Sequence, residues 1–448
     1  MANYSEREYQ GPASGGWRAA TASLQHRDFR WVFVSNIIFF LGMNGQFVVR
    51  SYLAFKLTDS AAALGLINLV VAVPMLLVSP FGGVISDRVN RRRLVLAGQL
   101  VLIVSELVIF ALLAADALHF WHLVAAGCMM GIVFPIMMPA RQAIVMDIVG
   151  REGVHSSMVL SMGGMNAARI AGPAAAGYAL SLLAVEWVYL CSVVLYAVAM
   201  LAMARVSLAA GRTVLPKIAK SVLADLKEGV RYVWDDHPVR ALMLLSMLPI
   251  IFAMPFQMLL VVFAEDVWDV GAGGLGLLNA FAGIGGILGS LIVAFRGERR
   301  NKVATMTRSL LAFGALLLFF AVSPWFAAAL LFVLLADIAA NIFQTTNGTT
   351  IQMLVPDHVR GRVMSLTMMM FGLTPLGTVP IGIAAEAFGA PAAVAGASIV
   401  MVALVVVFYY ASAALRSVDA VSAASRTARP PGIALGVGAA SPKAPASA

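Results

Sequence analysis

Long apolar runs separated by short polar segments constrain the fold of this chain more than any other feature. Runs 64–86 and 94–115 lie on either side of a charged loop at residues 83–93. Each run is long enough to cross a bilayer as a helix, which takes about 20 residues. The loop carries Arg88 and the triplet Arg91 to Arg93. Because basic residues are retained in cytoplasmic loops, this loop is predicted to face the cytoplasm.

Apolar runs of this kind recur along the chain. Hydrophobic residues make up 61% of the sequence and charged residues 12%, a composition outside the range of soluble domains. The sequence therefore predicts an all-α polytopic membrane protein with twelve transmembrane helices. These are expected at about 31–52, 64–86, 94–115, 120–144, 157–181, 187–206, 241–263, 273–295, 303–322, 326–350, 363–385 and 391–414.

The positions of the 31 lysines and arginines support this topology. With both termini in the cytoplasm, only Arg50, Lys56 and Arg169 fall outside cytoplasmic segments and span ends. The net charge of +9 then reflects membrane topology and not nucleic-acid binding. Residues 1–28 lack the apolar core of a cleavable signal peptide, so the first span is expected to be retained.

A polar linker at 207–240 divides the spans into an N-terminal half at 29–206 and a C-terminal half at 241–415. The first half follows a cytoplasmic segment at 1–28. The second precedes a tail at 416–448, which is rich in alanine, serine and proline and is predicted to be disordered.

Within the linker, Ile218, Val222, Leu226 and Val230 recur at every fourth position. This spacing predicts an amphipathic helix on the cytoplasmic membrane surface. A simple spacer is the alternative.

The two halves resemble each other in sequence. Leu64-Gly65-Leu66-Ile67-Asn68 opens the second span and Leu275-Gly276-Leu277-Leu278-Asn279 opens the eighth. Such a repeat predicts two halves of similar structure.

The pattern Gly83-x-x-x-Asp87-Arg88-x-Asn90-Arg91-Arg92 resembles the cytoplasmic signature of the major facilitator superfamily of secondary transporters. This resemblance implies two pseudo-symmetric six-helix halves, the major facilitator fold. That family usually has glycine where Asn90 stands. Since asparagine tolerates a left-handed turn, the loop is expected to keep its conformation.

The same resemblance implies a cytoplasmic gate. Asp87 is expected to cap the eleventh span near Gly361 and Arg362 when the cytoplasmic side is shut. Arg91 is expected to pair with Asp147 at the end of the fourth span. Such contacts form in one state only and bias the equilibrium between inward-open and outward-open forms. The expected gate residues are Gly83, Asp87, Arg88, Arg91, Arg92, Asp147, Gly361 and Arg362.

The fifth span contains Gly172, Pro173 and Gly177. Small residues let helices approach closely, and proline loosens the backbone ladder. The stretch is similar to the Gly-Pro motif on this span of drug and metabolite antiporters. Close packing without bearing on transport direction is the alternative.

Ionisable groups at membrane depth are costly and therefore mark candidate functional sites. The spans hold Glu106, Asp337 and Arg169 well inside them. Asp337 is the preferred proton carrier, because Asn341 and Gln344 follow it on the same helix. A structural hydrogen bond or a permanent pair with Arg169 is the alternative. Glu106 lies on the third span, where packing against a neighbour is expected over proton transfer.

Further candidates for the substrate cavity are polar or flexible side chains on the first, seventh and tenth spans. They are Asn36, Asn44, Gln46, Arg50, Met247, Met254, Gln257, Asn341 and Gln344. Methionines on the seventh span could ligate Cu(I), but such residues more often line adaptable apolar cavities. His119 and His122 have no acid or thiolate partner in pattern, so no metal site is predicted.

Three further stretches narrow the resemblance to the branch that contains the enterobactin exporter and macrolide-efflux proteins. They are Pro139-Ala140-Arg141-Gln142-Ala143 with Asp147 and Arg151-Glu152, Leu226 through Val233, and Val355-Pro356-Asp357 with Arg360 through Ser365. The branch implies a proton-coupled exporter of a siderophore, drug-like compound or related metabolite. The expected location is the bacterial inner membrane, as a monomer.

Other functions remain open at this stage. An importer, a facilitator or a lysolipid translocator would share the fold, and a transport-dead receptor or scaffold is a further alternative. The sequence has no catalytic Ser/His/Asp set, metal cluster or phosphate-binding loop, so neither an enzyme nor a cofactor is expected. The predicted partners are a small-molecule substrate, protons and the lipid bilayer.

Overall fold

The computed structural model describes residues 22–207, 222–296 and 301–419, and these residues are helical throughout apart from short turns. The helices before the linker are α1 (Arg27–Thr58), α2 (Ala61–Arg88), α3 (Arg91–Ala114), α4 (Phe120–Leu182) and α5 (Val185–Ala204). The linker contributes α6 (Val222–Asp235). The helices after it are α7 (His237–Leu248), α8 (Phe256–Val262), α9 (Gly271–Arg296), α10 (Lys302–Ala321), α11 (Phe326–Leu354), α12 (Asp357–Met370), α13 (Pro375–Phe388) and α14 (Ala390–Ala411).

Ten helical segments of the described chain are long and apolar enough to cross a membrane. One of them, His237–Val267, consists of α7 and α8 with π-helical turns at Pro249–Ala253 and Phe263–Val267. The second part of α4 and the pair α12–α13 are long enough to supply two further crossings. The architecture is consistent with twelve spans in two halves.

Helix α4 is long enough to cross a membrane twice. A straight helix of its 63 residues would be about 95 Å long, three times the hydrocarbon thickness. Its first part runs alongside α2 and its second part runs alongside α1. The contacts that show this are Gly127 with Val71, Gly82 with Pro135, Gly164 with Ile37 and Gly172 with Leu41. Since α1 and α2 are antiparallel, α4 reverses direction between these parts.

The eleventh span, predicted as one run at 363–385, is broken in the structure. Helix α12 ends at Met370, a 3-10 turn follows at Phe371–Leu373, and α13 begins at Pro375. Proline has no backbone N–H and is favoured at a helix start. The prediction of an unbroken helix is therefore corrected.

The C-terminal tail begins later than the predicted boundary at 416. Leu415 and Val418 are fully buried, and an Asp419 carboxylate oxygen accepts hydrogen bonds from the backbone N–H groups of Lys302 (2.8 Å) and Val303 (3.3 Å). An acidic side chain satisfies free donors at a helix start, which explains why residues 416–419 pack against α10. The rest of the tail, 420–448, lies outside the described residues.

The two ends of the helix bundle differ in charge. We call the end that carries Arg88 and Arg91 to Arg93 the basic end, and the other the opposite end. At the opposite end, polar contacts join the two halves. Lys56 Nζ lies 2.6 Å from Glu265 Oε2, and Glu386 accepts a hydrogen bond from the Ser60 hydroxyl (2.7 Å). The halves are therefore in direct contact at this end.

Candidate functional site

At the basic end, Asn90 joins α2 to α3 without a left-handed turn. Its φ is −59° and its side-chain oxygen accepts a hydrogen bond from the Arg93 backbone N–H at 3.1 Å. Asparagine is a preferred N-cap residue because its side chain satisfies a free helix donor. The expectation of a left-handed residue here is corrected: Asn90 acts as the cap of α3.

The structure places two of the predicted gate residues in contact. Arg91 Nη1 lies 2.7 Å from Asp147 Oδ2, which ties the start of α3 to the first part of α4. The Arg92 guanidinium donates to the carbonyl oxygen of Ala204, at the end of α5. Three helices of the N-terminal half are thereby held together at the basic end.

The predicted cap of the eleventh span by Asp87 remains a prediction. Burial and contacts at Gly83, Asp87 and Gly361 lie outside the described residues, and Arg88 is exposed. Arg362 Nη1 contacts Glu228 Oε1 of the linker helix α6 at 2.5 Å. Thus α6 packs against α12, the helix that opens the eleventh span.

A cavity of about 520 Å³ lies between the two halves. The N-terminal half contributes residues of α1 and of the second part of α4, and the C-terminal half contributes residues of α8, α9 and α11. The lining residues are Asn44, Phe47, Gly163, Arg169, Ile170, Pro173, Gln257, Asn279, Ala282, Gly283, Gly286, Ile287, Ser290, Leu291, Asp337 and Asn341. The predicted candidates Asn44, Arg169, Gln257, Asp337 and Asn341 are thus brought together.

The two charged residues of the cavity wall come from opposite halves. Asp337 is 7% exposed, and its Oδ2 atom has no hydrogen-bond partner among the described residues. Arg169 is exposed and close enough for its charge to act on Asp337. Among the described residues no hydrogen bond or ion pair joins them, so the N–H donors of Arg169 are available to a ligand in the cavity.

Glycines allow the helices that carry the cavity wall to pack closely. A Cβ atom on Gly172 would lie 2.6 Å from the carbonyl oxygen of Leu41, and one on Gly285 would lie 2.4 Å from that of Leu334. These distances are shorter than van der Waals contact, so only glycine allows α4 to approach α1 and α9 to approach α11. Pro173 follows Gly172 directly and lines the cavity.

Several predicted cavity residues lie elsewhere. Asn36 accepts a hydrogen bond from Arg141 Nη1 at 2.5 Å, and Gln46 is 2% exposed inside the N-terminal half. Met247, Met254, Gln344 and Arg50 are also not among the residues that line this cavity.

Arg50 and Glu106 form a buried ion pair. Arg50 Nη2 lies 3.1 Å from Glu106 Oε1, and the side chains are 9% and 3% exposed. The pair joins α1 to α3 within the N-terminal half. Paired in this way, Glu106 packs against a neighbour and does not reach the cavity.

Sequence reasoning misses some residues that the structure places at functional positions. The charge pattern assigns Arg141 to the basic end, but it is 1% exposed, and its guanidinium lies 4.2 Å from the centre of the Phe39 ring. Nothing in the sequence marks Phe47 and Ser290 as residues of the cavity wall. Asn279 is marked by the internal repeat, because it occupies the same position in its half as Asn68 does in the other.

His119 and His122 serve the backbone. His122 Nδ1 accepts a hydrogen bond from the His119 backbone N–H at 3.0 Å, which caps the start of α4. Within the described residues, no group of three or more His, Cys, Asp or Glu side chains has the arrangement of a metal site.

A family model described as "transmembrane secretion effector" matches residues 18–441. The chain belongs to this family of major facilitator transporters. The resemblance drawn from the charged loop is thus confirmed at the level of the superfamily.

Two relatives are similar to this chain over most of its length. The staphyloferrin A transporter of Staphylococcus aureus is 26% identical over 393 residues, which cover 86% of this chain and 94% of that protein. The multidrug efflux pump Tap of Mycolicibacterium fortuitum is 26% identical over 380 residues, covering 81% of this chain and 91% of the pump. Both relatives are transporters.

Solved structures show the same fold. A bacterial homologue of the iron transporter ferroportin, in its inward-facing state, has a TM-score of 0.70 at 17% identity and covers 86% of this chain and 99% of that one. The nucleoside transporter NupG has a TM-score of 0.68 at 14% identity, with coverage of 87% and 99%. This family member therefore has the major facilitator fold.

Proposed function

We propose that this transporter is a proton-coupled exporter of a siderophore, drug-like compound or related metabolite. The observation that carries the proposal is the cavity between the halves, whose wall holds one carboxylate and one guanidinium from opposite halves. Relatives that handle a siderophore and drugs support the substrate class.

Asp337 is the proposed proton carrier. It lines the cavity on α11, it is buried, and one of its oxygens is unpaired among the described residues. A carboxylate in this position can gain or lose a proton as access alternates between the two membrane sides. Arg169 lies across the cavity and would stabilise the charged form.

We propose that the basic end faces the cytoplasm of a bacterial inner membrane, with both termini on that side. Contacts between the halves at the opposite end, such as Lys56 with Glu265 and Ser60 with Glu386, then correspond to a closed outer side and an inward-facing molecule. Residues Gly83, Asp87, Arg88, Arg91, Arg92, Asp147, Gly361 and Arg362 remain the proposed cytoplasmic gate. The Arg91–Asp147 pair lies within the N-terminal half and is present in this inward-facing form.

Ligand-induced proton release from purified, detergent-solubilised protein tests the proposal. Siderophores, macrolides, dyes and lysolipids are screened with wild type and with Asp337→Asn. Proton release by the wild type that is absent in the variant supports antiport through Asp337. Binding without proton release in either protein would contradict coupling and favour a facilitator, and a response to lysolipids alone would favour a lipid translocator.

A further inference from the structure

We infer that the cavity selects an organic anion that carries hydroxyl or amide N–H groups on an apolar body. This inference rests on the proposed function, because it takes the cavity between the halves to be the substrate site. It adds a substrate class that the charges and hydrogen-bonding groups of the wall determine.

The charge that a ligand meets in this cavity is that of Arg169. The guanidinium is exposed at the wall, whereas the Asp337 carboxylate is buried. No other acidic or basic residue lines the described cavity. A planar guanidinium binds carboxylates through paired, charge-assisted hydrogen bonds.

Amide side chains around Arg169 present acceptors. The amide nitrogen of Asn44 donates to the carbonyl oxygen of Phe40 at 2.7 Å, that of Asn279 to Leu275 at 2.9 Å, and that of Asn341 to Asp337 at 3.1 Å.

Each amide nitrogen uses one of its two N–H groups on the preceding turn of its own helix, so each side chain keeps its oxygen as an acceptor and one N–H as a donor for a ligand. Acceptors in an otherwise apolar site favour ligands with O–H or N–H donors, because unpaired polar groups are costly there.

The rest of the wall is apolar. Phe47, Ile170, Ile287 and Leu291 face the same cavity, and its volume of about 520 Å³ falls within the range of sites for drug-sized ligands, roughly 300–1,000 Å³. A ligand with an aromatic or aliphatic body would bury its surface against these side chains.

The anion would be held by the N-terminal half, and part of the hydrogen-bonding groups belong to the C-terminal half. Arg169 belongs to α4, while Asn279 and Asn341 belong to α9 and α11. A ligand that engages both sets connects the halves, which allows its binding to affect the equilibrium between access states.

Three para-nitrophenyl probes test this inference. para-Nitrophenyl glucuronide has a carboxylate and hydroxyls, para-nitrophenyl glucoside replaces the carboxylate by a neutral CH₂OH group, and para-nitrophenoxyacetate keeps the carboxylate without hydroxyls. Binding is measured by calorimetry on the full chain in nanodiscs. We expect the glucuronide to bind about tenfold more tightly than the glucoside, since a charge-assisted contact supplies this difference, and more tightly than the phenoxyacetate.

Arg169→Gln should abolish the preference for the glucuronide over the glucoside, and Arg169→Lys should keep part of it. Arg308→Gln is the matched control, since Arg308 is exposed on α10 and does not line the cavity. Equal binding of glucuronide and glucoside by wild type, no binding of the glucuronide, or an unchanged preference in Arg169→Gln would overturn the inference.

The substrate class and proton-coupled export can be tested independently. Binding of the glucuronide through Arg169 without any proton release would contradict coupling and leave the substrate class intact. Proton-coupled transport of a cation or a neutral compound that is insensitive to Arg169→Gln would contradict the substrate class and leave coupled export intact.

Discussion

Single charged residues inside the bundle have different roles that depend on their partners. Glu106 pairs with Arg50 within the N-terminal half, whereas Asp337 lines the cavity between the halves. The sequence shows both carboxylates as unusual charges in apolar runs. It does not show the pairing, because Arg50 and Glu106 are 56 positions apart and meet only when α1 and α3 both pack against α5.

Glu106→Gln is expected to destabilise the protein. The substitution leaves the Arg50 guanidinium buried without a counter-ion, which costs about 3–5 kcal/mol. Thermal unfolding in detergent should show a clearly lower midpoint, and Glu106→Gln with Arg50→Met should recover part of the loss.

The matched control for this prediction is Asp235→Asn. Asp235 pairs with Arg231 on the surface of α6, where the side chains are 70% and 84% exposed, and exposed pairs contribute little to stability. If Glu106→Gln unfolds at the wild-type temperature and instead abolishes ligand-induced proton release, Glu106 is a proton carrier and our assignment of it to packing is wrong.

At the scale of elements, sequence periodicity predicts most helices but not their interruptions. The apolar runs locate the spans, and the repeat of Asn68 and Asn279 has a structural counterpart. Each of these side chains donates to the carbonyl oxygen four residues earlier, at 2.9 Å in both halves. The break at Phe371–Leu373 escapes prediction, because the run 363–385 stays apolar through it.

For the linker helix, the sequence predicts the helix but not the element that it packs against. Val222, Leu226 and Val230 indicate an amphipathic helix, and α6 is present at Val222–Asp235. Its partner could not be predicted from periodicity. Gly229 lies against Arg362 and Leu366, and Glu228 pairs with Arg362, so α6 docks on α12 of the C-terminal half.

Contact between α4 and α9 is expected to depend on Gly177. A Cβ atom at this position would lie 2.3 Å from the Cα atom of Gly276, closer than packed atoms approach. Gly177→Val should therefore hinder closure of the opposite end. The substitution Asn44→Cys places a thiol in the cavity. This thiol should react faster with a membrane-impermeant reagent added from outside when Gly177→Val is also present than when it is absent.

Gly396→Val is the control, since a Cβ atom at Gly396 meets no other atom within 4 Å. Cys128 and Cys191 are free and are replaced by serine in all variants. An unchanged labelling rate in Gly177→Val would mean that this glycine contact does not hold the end closed.

At the scale of the whole molecule, alternating access requires the halves to separate at the opposite end. A Cβ atom on Gly273 of α9 would lie 3.4 Å from the Ser181 Cβ atom of α4, near the separation found in disulfides, about 3.5–4.5 Å. Ser181→Cys with Gly273→Cys should form a disulfide that links the halves. Oxidation is then expected to stop transport in proteoliposomes, and reduction to restore it.

The single variants Ser181→Cys and Gly273→Cys control for the substitutions themselves. A doubly substituted protein that is fully cross-linked and still transports at the wild-type rate would show that this end need not open.

The most direct test of proton-coupled export through Asp337 is transport in proteoliposomes under an imposed pH gradient. The transported compound is the one selected by the proton-release screen. We predict that wild type moves it against its concentration gradient only when the pH gradient is present, and that Asp337→Asn binds it but loses this response. Uphill transport by Asp337→Asn at the wild-type rate, or wild-type transport that ignores the pH gradient, would contradict the account.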